Sequence, residues 1–161
     1  MNTATIHEVT RDGDLEKVKS LLQSNPNLVF SKDKQGATPL HFAALDGHKD
    51  VAAFLLANKA EVNAQDNDGF KPLHLASLKG HKEVAQLLLG NRAEVNAKTK
   101  DGRTPLFVTT IEGHKDVAEL LLANSAGVND RNLFDWTPLR MSVLNGHKDL
   151  SALLRQHGGQ E

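Results

Sequence analysis

Several residue types are scarce in this chain of 161 residues, and each scarcity excludes a class of protein. There is no cysteine, which excludes disulfides, thiolate metal sites and cysteine nucleophiles. There is no tyrosine, and Trp136 is the single tryptophan. Lys and Arg number 19 against 20 Asp and Glu, so no net positive charge attracts nucleic acid or an anionic lipid surface. We therefore expect neither nucleic acid nor a membrane as a partner.

Long apolar runs are also missing. The longest, VAAFLLA at 51–57, is far too short to cross a bilayer, and the amino terminus has no apolar signal core. We therefore expect a cytoplasmic protein. Export with an absent or removed signal peptide stays open, because Met1 stands almost directly before the first repeat-like element. With 24% charged and 39% apolar residues, the composition is typical of a folded chain.

The most prominent feature of the sequence is an internal repeat with a period of 33 residues. The phrase TPLHFAALDGHKDVAAFLL begins at Thr38 and returns, with changes, at Lys71, Thr104 and Thr137. A Thr-Pro start and a glycine nine residues later delimit a first short helix, and valine and leucine at helical spacing indicate a second. A loop rich in Asn, Asp and Gly closes the unit. This pattern predicts a stack in which each unit buries its apolar side against its neighbours.

The motifs TPLH, GHKDVAAFLL and AEVNAQDNDG, in register at this period, resemble the ankyrin repeat over nearly the whole chain. The resemblance implies an all-α ankyrin-repeat solenoid of about five helix-turn-helix units with projecting hairpin-like loops. We place a single domain at 1–161, with an N-terminal capping unit at 1–32, repeats at 33–65, 66–98 and 99–131, and a C-terminal capping unit at 132–161. The first unit is an offset, more polar copy, in which Asp14 replaces the histidine that follows the glycine.

Histidine follows the glycine in four units, at His48, His81, His114 and His147. Stacked helices lie about 8–10 Å apart, whereas zinc needs nitrogen atoms about 2 Å from one ion. One histidine per unit therefore does not build a metal site, and we predict no metal and no cofactor. The resemblance implies that these histidines join adjacent helices by hydrogen bonds. It also implies that the TPLH histidines, His41 and His74, join neighbouring loops.

Catalytic patterns are absent from the sequence. There is no glycine-rich phosphate loop and no G-x-S-x-G turn. The segment 7–11, HEVTR, has an arginine where a zinc-protease helix needs its second histidine. Asp and Glu are plentiful, at 20 in the chain, but they lie on loops and helix starts, where solvation and capping explain them. We predict no catalytic residue and no enzyme, and a metal-dependent enzyme is the least favoured alternative.

Positions that differ between units are the candidates for recognition, because the shared residues build the stack. The resemblance places the loop tips and the ends of the first helices on a concave face. The residue after the turn glycine, or its equivalent, is in turn Ala37, Phe70, Arg103 and Trp136. The last tip, NLFDWTP, places Leu133 and Phe134 beside Trp136 where the other tips are polar. Exposed aromatic clusters are typical of binding hot spots. The alternatives are that this tip shields the final unit or forms an oligomer contact.

A second candidate surface is a column of apolar residues at the ends of the first helices. Its members are Leu45, Leu78, Ile111 and Leu144. They either support one another across the units or, with Phe70 and Arg103, form an apolar strip with a cation, as many protein interfaces do. We predict a monomeric, non-catalytic protein-protein interaction module that binds a partner protein of unknown identity through its concave face and loop tips. The alternative is a structural spacer or self-associating scaffold unit.

One local departure from the ankyrin pattern concerns the end of the second helix. Ankyrin units usually carry a glycine there, whereas this chain has Lys59, Arg92 and Ser125, each preceded by asparagine. We expect these residues to adopt a positive φ at an energetic cost.

Overall fold

The computed structural model describes residues 4–161, and its α-helices come in antiparallel pairs. In that range the α-helices are α1 (Ile6–Arg11), α2 (Leu15–Ser24), α3 (Pro39–Asp46), α4 (Lys49–Ala57), α5 (Pro72–Lys79), α6 (Lys82–Gly90), α7 (Pro105–Glu112), α8 (Lys115–Ala123), α9 (Pro138–Leu144) and α10 (Lys148–Gln156). No strand occurs between residues 4 and 161. The predicted all-α stack of helix-turn-helix units is confirmed. A 3₁₀ helix at Pro26–Phe30, which the repeat pattern did not predict, follows α2.

The helices form two layers. The inner layer is α1, α3, α5, α7 and α9, each packed on the next, and the outer layer is α2, α4, α6, α8 and α10. Leucines at one repeated position of the inner helices are buried between the layers, at Leu40, Leu73, Leu106 and Leu139. Outer-helix residues at one repeated position meet them, at Val51, Val84, Val117 and Leu150. Burying each of these side chains contributes about 1.5–3 kcal/mol, so the core runs through every unit.

The predicted hydroxyl cap is present at the starts of α7 and α9, whereas α5 begins after Lys71 and the Thr38 hydroxyl before α3 lies 2.9 Å from His41 Nδ1. Thr104 and Thr137 accept hydrogen bonds at 3.1 Å from the backbone N–H groups of Phe107 and Arg140, three residues further on. A proline occupies the first helical position, where its missing N–H costs nothing. The turn glycine Gly47 has a φ of 76°, which ends α3 in the left-handed conformation.

The loops between units are hydrogen-bonded to each other at their tips. The Asn67 N–H donates to the Gln35 carbonyl at 2.8 Å. The Lys100 N–H donates to the Asp68 carbonyl and the Leu133 N–H to the Asp101 carbonyl, both at 2.9 Å. Each loop therefore holds the next, and the tips form a continuous ribbon along one edge of the stack. In the described part of the chain, none of the helices is both long and apolar enough to span a membrane.

Candidate functional site

The TPLH histidines hold the loops in place. His41 Nδ1 accepts from the Thr38 backbone N–H at 3.0 Å, and its Nε2 donates to the Phe70 carbonyl of the next loop at 3.0 Å. Burial lowers the pKa of His41, and the hydrogen bond to Phe70 opposes that change. The imidazole is therefore held neutral, with its proton on Nε2. The predicted role of this histidine as a loop tie is confirmed.

His74 repeats the arrangement one unit later. Its Nδ1 accepts from the Lys71 N–H at 3.1 Å, and its Nε2 lies 3.0 Å from the Ala97 carbonyl and 3.1 Å from the Arg103 carbonyl. Burial lowers the pKa of His74 to about 4. The neutral ring thus joins its own loop to the two sides of the next loop, at Ala97 and Arg103, which fixes the backbone at Arg103.

Three of the four histidines that follow the glycines connect the start of an outer helix to the inner helix of the preceding unit. The Nε2 atoms of His48, His81 and His147 bond to the carbonyls of Arg11 at 2.8 Å, Leu45 at 3.0 Å and Ile111 at 3.2 Å. His114 differs, because its Nε2 lies 3.4 Å from the Glu112 carboxylate of its own unit. Among residues 4–161, no three His, Asp or Glu side chains are grouped so that they could hold a metal ion.

A pocket of about 410 Å³ opens beside the last loop tip, and we call it the tip pocket. Its lining consists of Arg103, Phe107, Ile111, Asn132, Phe134, Trp136 and Met141. Four of these residues, Arg103, Ile111, Phe134 and Trp136, were predicted from the sequence as recognition residues. The structure therefore brings together side chains from one loop, α7, the next loop and α9.

The last loop tip projects from the body of the protein. Leu133 and Phe134 are 75% and 67% exposed, so their side chains do not shield the final unit as the alternative interpretation proposed. Trp136 is partly buried and forms part of the pocket wall. This tip therefore presents apolar surface to the solvent.

Hydrogen bonds fix the shape of the projecting tip. The Asn132 side-chain oxygen accepts from the backbone N–H groups of Phe134 and Trp136, both at 3.0 Å. Asp135 takes the place of the turn glycine with a φ of 63°, and its carboxylate pairs with Arg131 at 2.8 Å. The aromatic side chains are consequently carried on a well-defined turn.

Two arginines give the tip pocket its polar character. The Arg103 guanidinium lines the pocket and pairs with the Asp101 carboxylate at 2.7 Å. Arg140 is exposed, and its guanidinium carbon lies 5.3 Å from the centre of the Trp136 ring. This distance is within the range of a cation–π interaction. Within residues 4–161, Arg140 forms no ion pair with a carboxylate.

The remaining predicted residues lie outside the tip pocket. Phe70 borders a hollow of about 270 Å³ together with Asp68, Lys100 and Asp101. Leu45 borders another of about 300 Å³, near Phe42 and Arg11. Leu78 is partly buried, and Leu144 is 61% exposed at the end of the stack. The apolar column is thus divided between separate parts of the surface.

Three lining residues, Phe107, Asn132 and Met141, were not predicted. Phe107 stands where His41 and His74 stand in earlier units, and it is buried. A phenylalanine cannot donate to the Trp136 carbonyl in the way that His74 donates to the Arg103 carbonyl. The loss of this tie and the gain of an apolar ring explain why the hollow is apolar here. The replacement of histidine by phenylalanine was the available signal.

These features define a solenoid of helix-turn-helix repeats with an apolar pocket beside its last loop tip. The chain matches the family model described as ankyrin repeats (3 copies) over residues 6–99 and 91–161, and it belongs to the ankyrin repeat family. Ankyrin repeats are generally protein-interaction modules, and the family is typically non-enzymatic.

Several curated proteins are similar to part of the chain. It is 43% identical over 51 residues to human ankyrin repeat domain-containing protein 7, and the aligned segment is 32% of this chain and 20% of that protein. It is 39% identical over 54 residues to human protein phosphatase 1 regulatory subunit 27, and the aligned segment is 34% of this chain and 34% of that protein. It is 42% identical over 55 residues to Xenopus laevis ankyrin repeat domain-containing protein 13C-B, and the aligned segment is 34% of this chain and 10% of that protein. The matches thus span between a tenth and about a third of these relatives.

Proposed function

We propose that this chain is a non-catalytic module that binds a partner protein through its concave face and loop tips, with the tip pocket as the centre of the interface. The convergence of Arg103, Ile111, Phe134 and Trp136 around one hollow of about 410 Å³ carries the proposal. The relatives support a protein as the ligand, since one of them is named as a regulatory subunit of a phosphatase.

The chemistry of the tip pocket suits a binding hot spot. Tryptophan and arginine are enriched among the residues that dominate interface energies. The volume lies at the lower end of the range of about 300–1,000 Å³ that holds small ligands, so the pocket accommodates one or two side chains of a partner. The tip is held by the Asn132 hydrogen bonds, so little conformational entropy is lost on binding.

The other candidate residues extend the footprint along the concave face. We place Phe70 and Leu45 at secondary contacts, since each borders a hollow of its own. The residues Leu78, Leu133 and Leu144 complete the candidate set. In this arrangement Leu133 lies at the rim, because it is exposed and follows Asn132 in the projecting tip.

Affinity capture from the source cells, followed by measurements with purified variants, tests the proposal. We expect Trp136→Ala to weaken binding of the captured partner by about 2 kcal/mol or more, which is about 30-fold in Kd. Phe134→Ala should act in the same direction. Val143→Ala is the matched control, since Val143 is also exposed in the last unit but does not line the tip pocket. A partner that binds equally well after truncation of Trp136, Phe134 and Phe70 together would refute the proposal.

Self-association is the second candidate function. The last unit exposes apolar side chains at Leu133, Phe134, Val143 and Leu144, which a second copy could cover. We propose a monomer, because the concave pocket suits a different partner. Light scattering over a range of concentrations separates the two, since a monomer at high concentration contradicts self-association.

A further inference from the structure

We propose that the tip pocket selects an acidic peptide segment, in which a large apolar side chain fills the pocket and an Asp or Glu within three residues of it meets Arg140. This inference rests on the proposed function and names the chemistry of the partner. It draws on the distribution of donors, acceptors and charge around the pocket.

The interior of the tip pocket is apolar. Phe107, Ile111 and Met141 come from α7 and α9, and Phe134 and Trp136 come from the loop tip. These side chains offer a partner carbon surface and no charge. An apolar side chain therefore gains from entering, whereas a charged one would lose hydration.

The polar groups of the tip pocket are donors. The Asn132 side-chain oxygen is already used by the Phe134 and Trp136 N–H groups, so its amide nitrogen is the group left for a ligand. Arg103 contributes a guanidinium, which has donors and no acceptor. None of the seven lining residues carries a carboxylate. A ligand that supplies acceptors is therefore complementary, and one that supplies donors is not.

Arg140 provides the positive charge for a carboxylate. The Arg103 charge is matched by Asp101 at 2.7 Å, and the nearby Arg131 charge is matched by Asp135 at 2.8 Å. Glu161 borders a neighbouring hollow with Arg140, but its carboxylate pairs with Arg155 at 3.1 Å. Arg140 is thus the charge beside the pocket that no carboxylate of residues 4–161 neutralises.

The hollows elsewhere on the concave face have a different character. The one at Phe70 is bordered by two carboxylates, Asp68 and Asp101, and one ammonium group, Lys100. The one at Leu45 is lined by two carboxylates, Asp33 and Asp66, and one guanidinium, Arg11. The tip pocket, by contrast, is lined by apolar side chains, one guanidinium and no carboxylate, and Arg140, unpaired among residues 4–161, lies beside it. A preference for acidic segments should consequently be located there.

A substitution at Arg140 changes the charge without disturbing the fold. The side chain is exposed, and the backbone N–H of Arg140 makes the bond to the Thr137 hydroxyl. The Arg140→Glu change places a carboxylate three residues after the Thr137 cap, which is a favourable arrangement for a helix start. Arg155→Glu is the matched control, because it makes the same change of charge in the same unit, away from the tip pocket.

The test uses a displayed library of random dodecapeptides, selected on the full chain and counter-selected on Trp136→Ala. We expect the enriched peptides to carry Asp or Glu within three residues of a large apolar residue. Measured by fluorescence anisotropy of a labelled peptide, Arg140→Glu should weaken binding at least tenfold, and Arg155→Glu less than twofold. A peptide with Lys in place of the acid should bind Arg140→Glu better than the unchanged chain. Added salt should weaken binding of the acidic peptide to the unchanged chain, because it screens the attraction between the two charges.

The outcomes separate this inference from the proposed function. Peptides that depend on Trp136 but show no acidic preference, or that bind Arg140→Glu unchanged, would overturn the inference and leave the proposed function standing. Recovery of no Trp136-dependent peptide would overturn both. Thermal unfolding of the Arg140→Glu and Arg155→Glu variants checks that each is folded when its affinity is measured.

Discussion

At the residue scale, three non-glycine residues share a left-handed backbone conformation at the same place in successive units. They are Lys59, Arg92 and Ser125, with φ values of 69°, 67° and 67°. Each follows the asparagine that caps its outer helix. The left-handed conformation costs an L-residue about 1–2 kcal/mol. The predicted positive φ is confirmed, and so the cost recurs with each unit.

Replacing Arg92 by glycine should stabilise the protein. Glycine removes the left-handed cost, although it loses about 0.4–1 kcal/mol through the greater freedom of the unfolded chain. We expect the free energy of unfolding to rise by about 0.5–1 kcal/mol, measured by urea denaturation. The Arg92 carbonyl keeps its hydrogen bond from Asn63, because the substitution leaves the backbone in place.

A glycine in the interior of the preceding helix is the control for that experiment. Gln86 is exposed in α6, and Gln86→Gly should lower stability by roughly 0.5–1 kcal/mol, since its backbone is helical. A loss of stability in Arg92→Gly would show that the left-handed conformation is not strained at this position.

At the element scale, the ties between loops depend on the neutral form of two histidines. His41 and His74 each accept a backbone N–H at Nδ1 and donate from Nε2 to the next loop. A protonated ring carries a hydrogen on Nδ1 and cannot accept there. Protonation would therefore bring two N–H donors together, one on Nδ1 and one on the backbone of the same loop. It would also place a positive charge in a buried site.

The free energy of unfolding should fall as the pH is lowered, because the folded protein holds His74 in its neutral form. Its pKa is about 4 in the folded protein and near 6.5 in an unfolded chain, so the folded state favours the neutral ring. The stabilisation is complete above pH 6.5 and is lost as the pH falls from 6.5 towards 4. We expect His74 to contribute a loss of about 2 kcal/mol between pH 7 and pH 5, measured by denaturant unfolding at each pH.

Two histidine variants show where the pH dependence arises. His74→Gln removes the titrating group and should flatten the slope of stability against pH, although the variant itself is less stable. His157→Gln is the control, because His157 is exposed at the end of α10. An unchanged slope in His74→Gln would mean that other groups are responsible.

The arrangement of helices was predictable because the period of 33 residues is a direct consequence of stacking. A leucine such as Leu40 or Leu73 recurs at that spacing because each unit must bury the same side. The 3₁₀ helix at Pro26–Phe30 lies in the one unit that departs from the period, so the pattern gave no information about it. Repetition predicts what the units share and says little about where they differ.

The candidate site was predictable in part for the same reason. Phe134 and Trp136 stood out because they lie in a single tip whose counterparts are polar. Met141 lies on an inner helix, where an apolar residue is ordinary, so only the three-dimensional structure shows that it lines the pocket. For Phe107 the one available signal was that it replaces the histidine of earlier units. The division of the column between Leu45, Ile111 and Leu144 could not be seen either, because it depends on how neighbouring loops shape each hollow.

At the scale of the whole molecule, the stack presents two unlike faces to a partner. The outer helices expose alternating charges, such as Lys115 and Glu119, which lie 3.7 Å apart on α8. The edge formed by the loop tips carries Phe70, Phe134 and Trp136, and the tip pocket lies there. Exposed ion pairs of this kind contribute little free energy. We therefore expect the partner to bind at the loop tips and not on the outer helices.

Mapping the partner on an isotope-labelled chain by amide NMR is the sharpest test of an interface centred on the tip pocket. Such an interface predicts that addition of the captured partner shifts the amide signals of residues 103–111 and 132–141 more than any others. Signals from the outer helices α4 and α6 should stay in place. Shifts concentrated on those outer helices, with the signals of residues 132–136 unchanged, would contradict it.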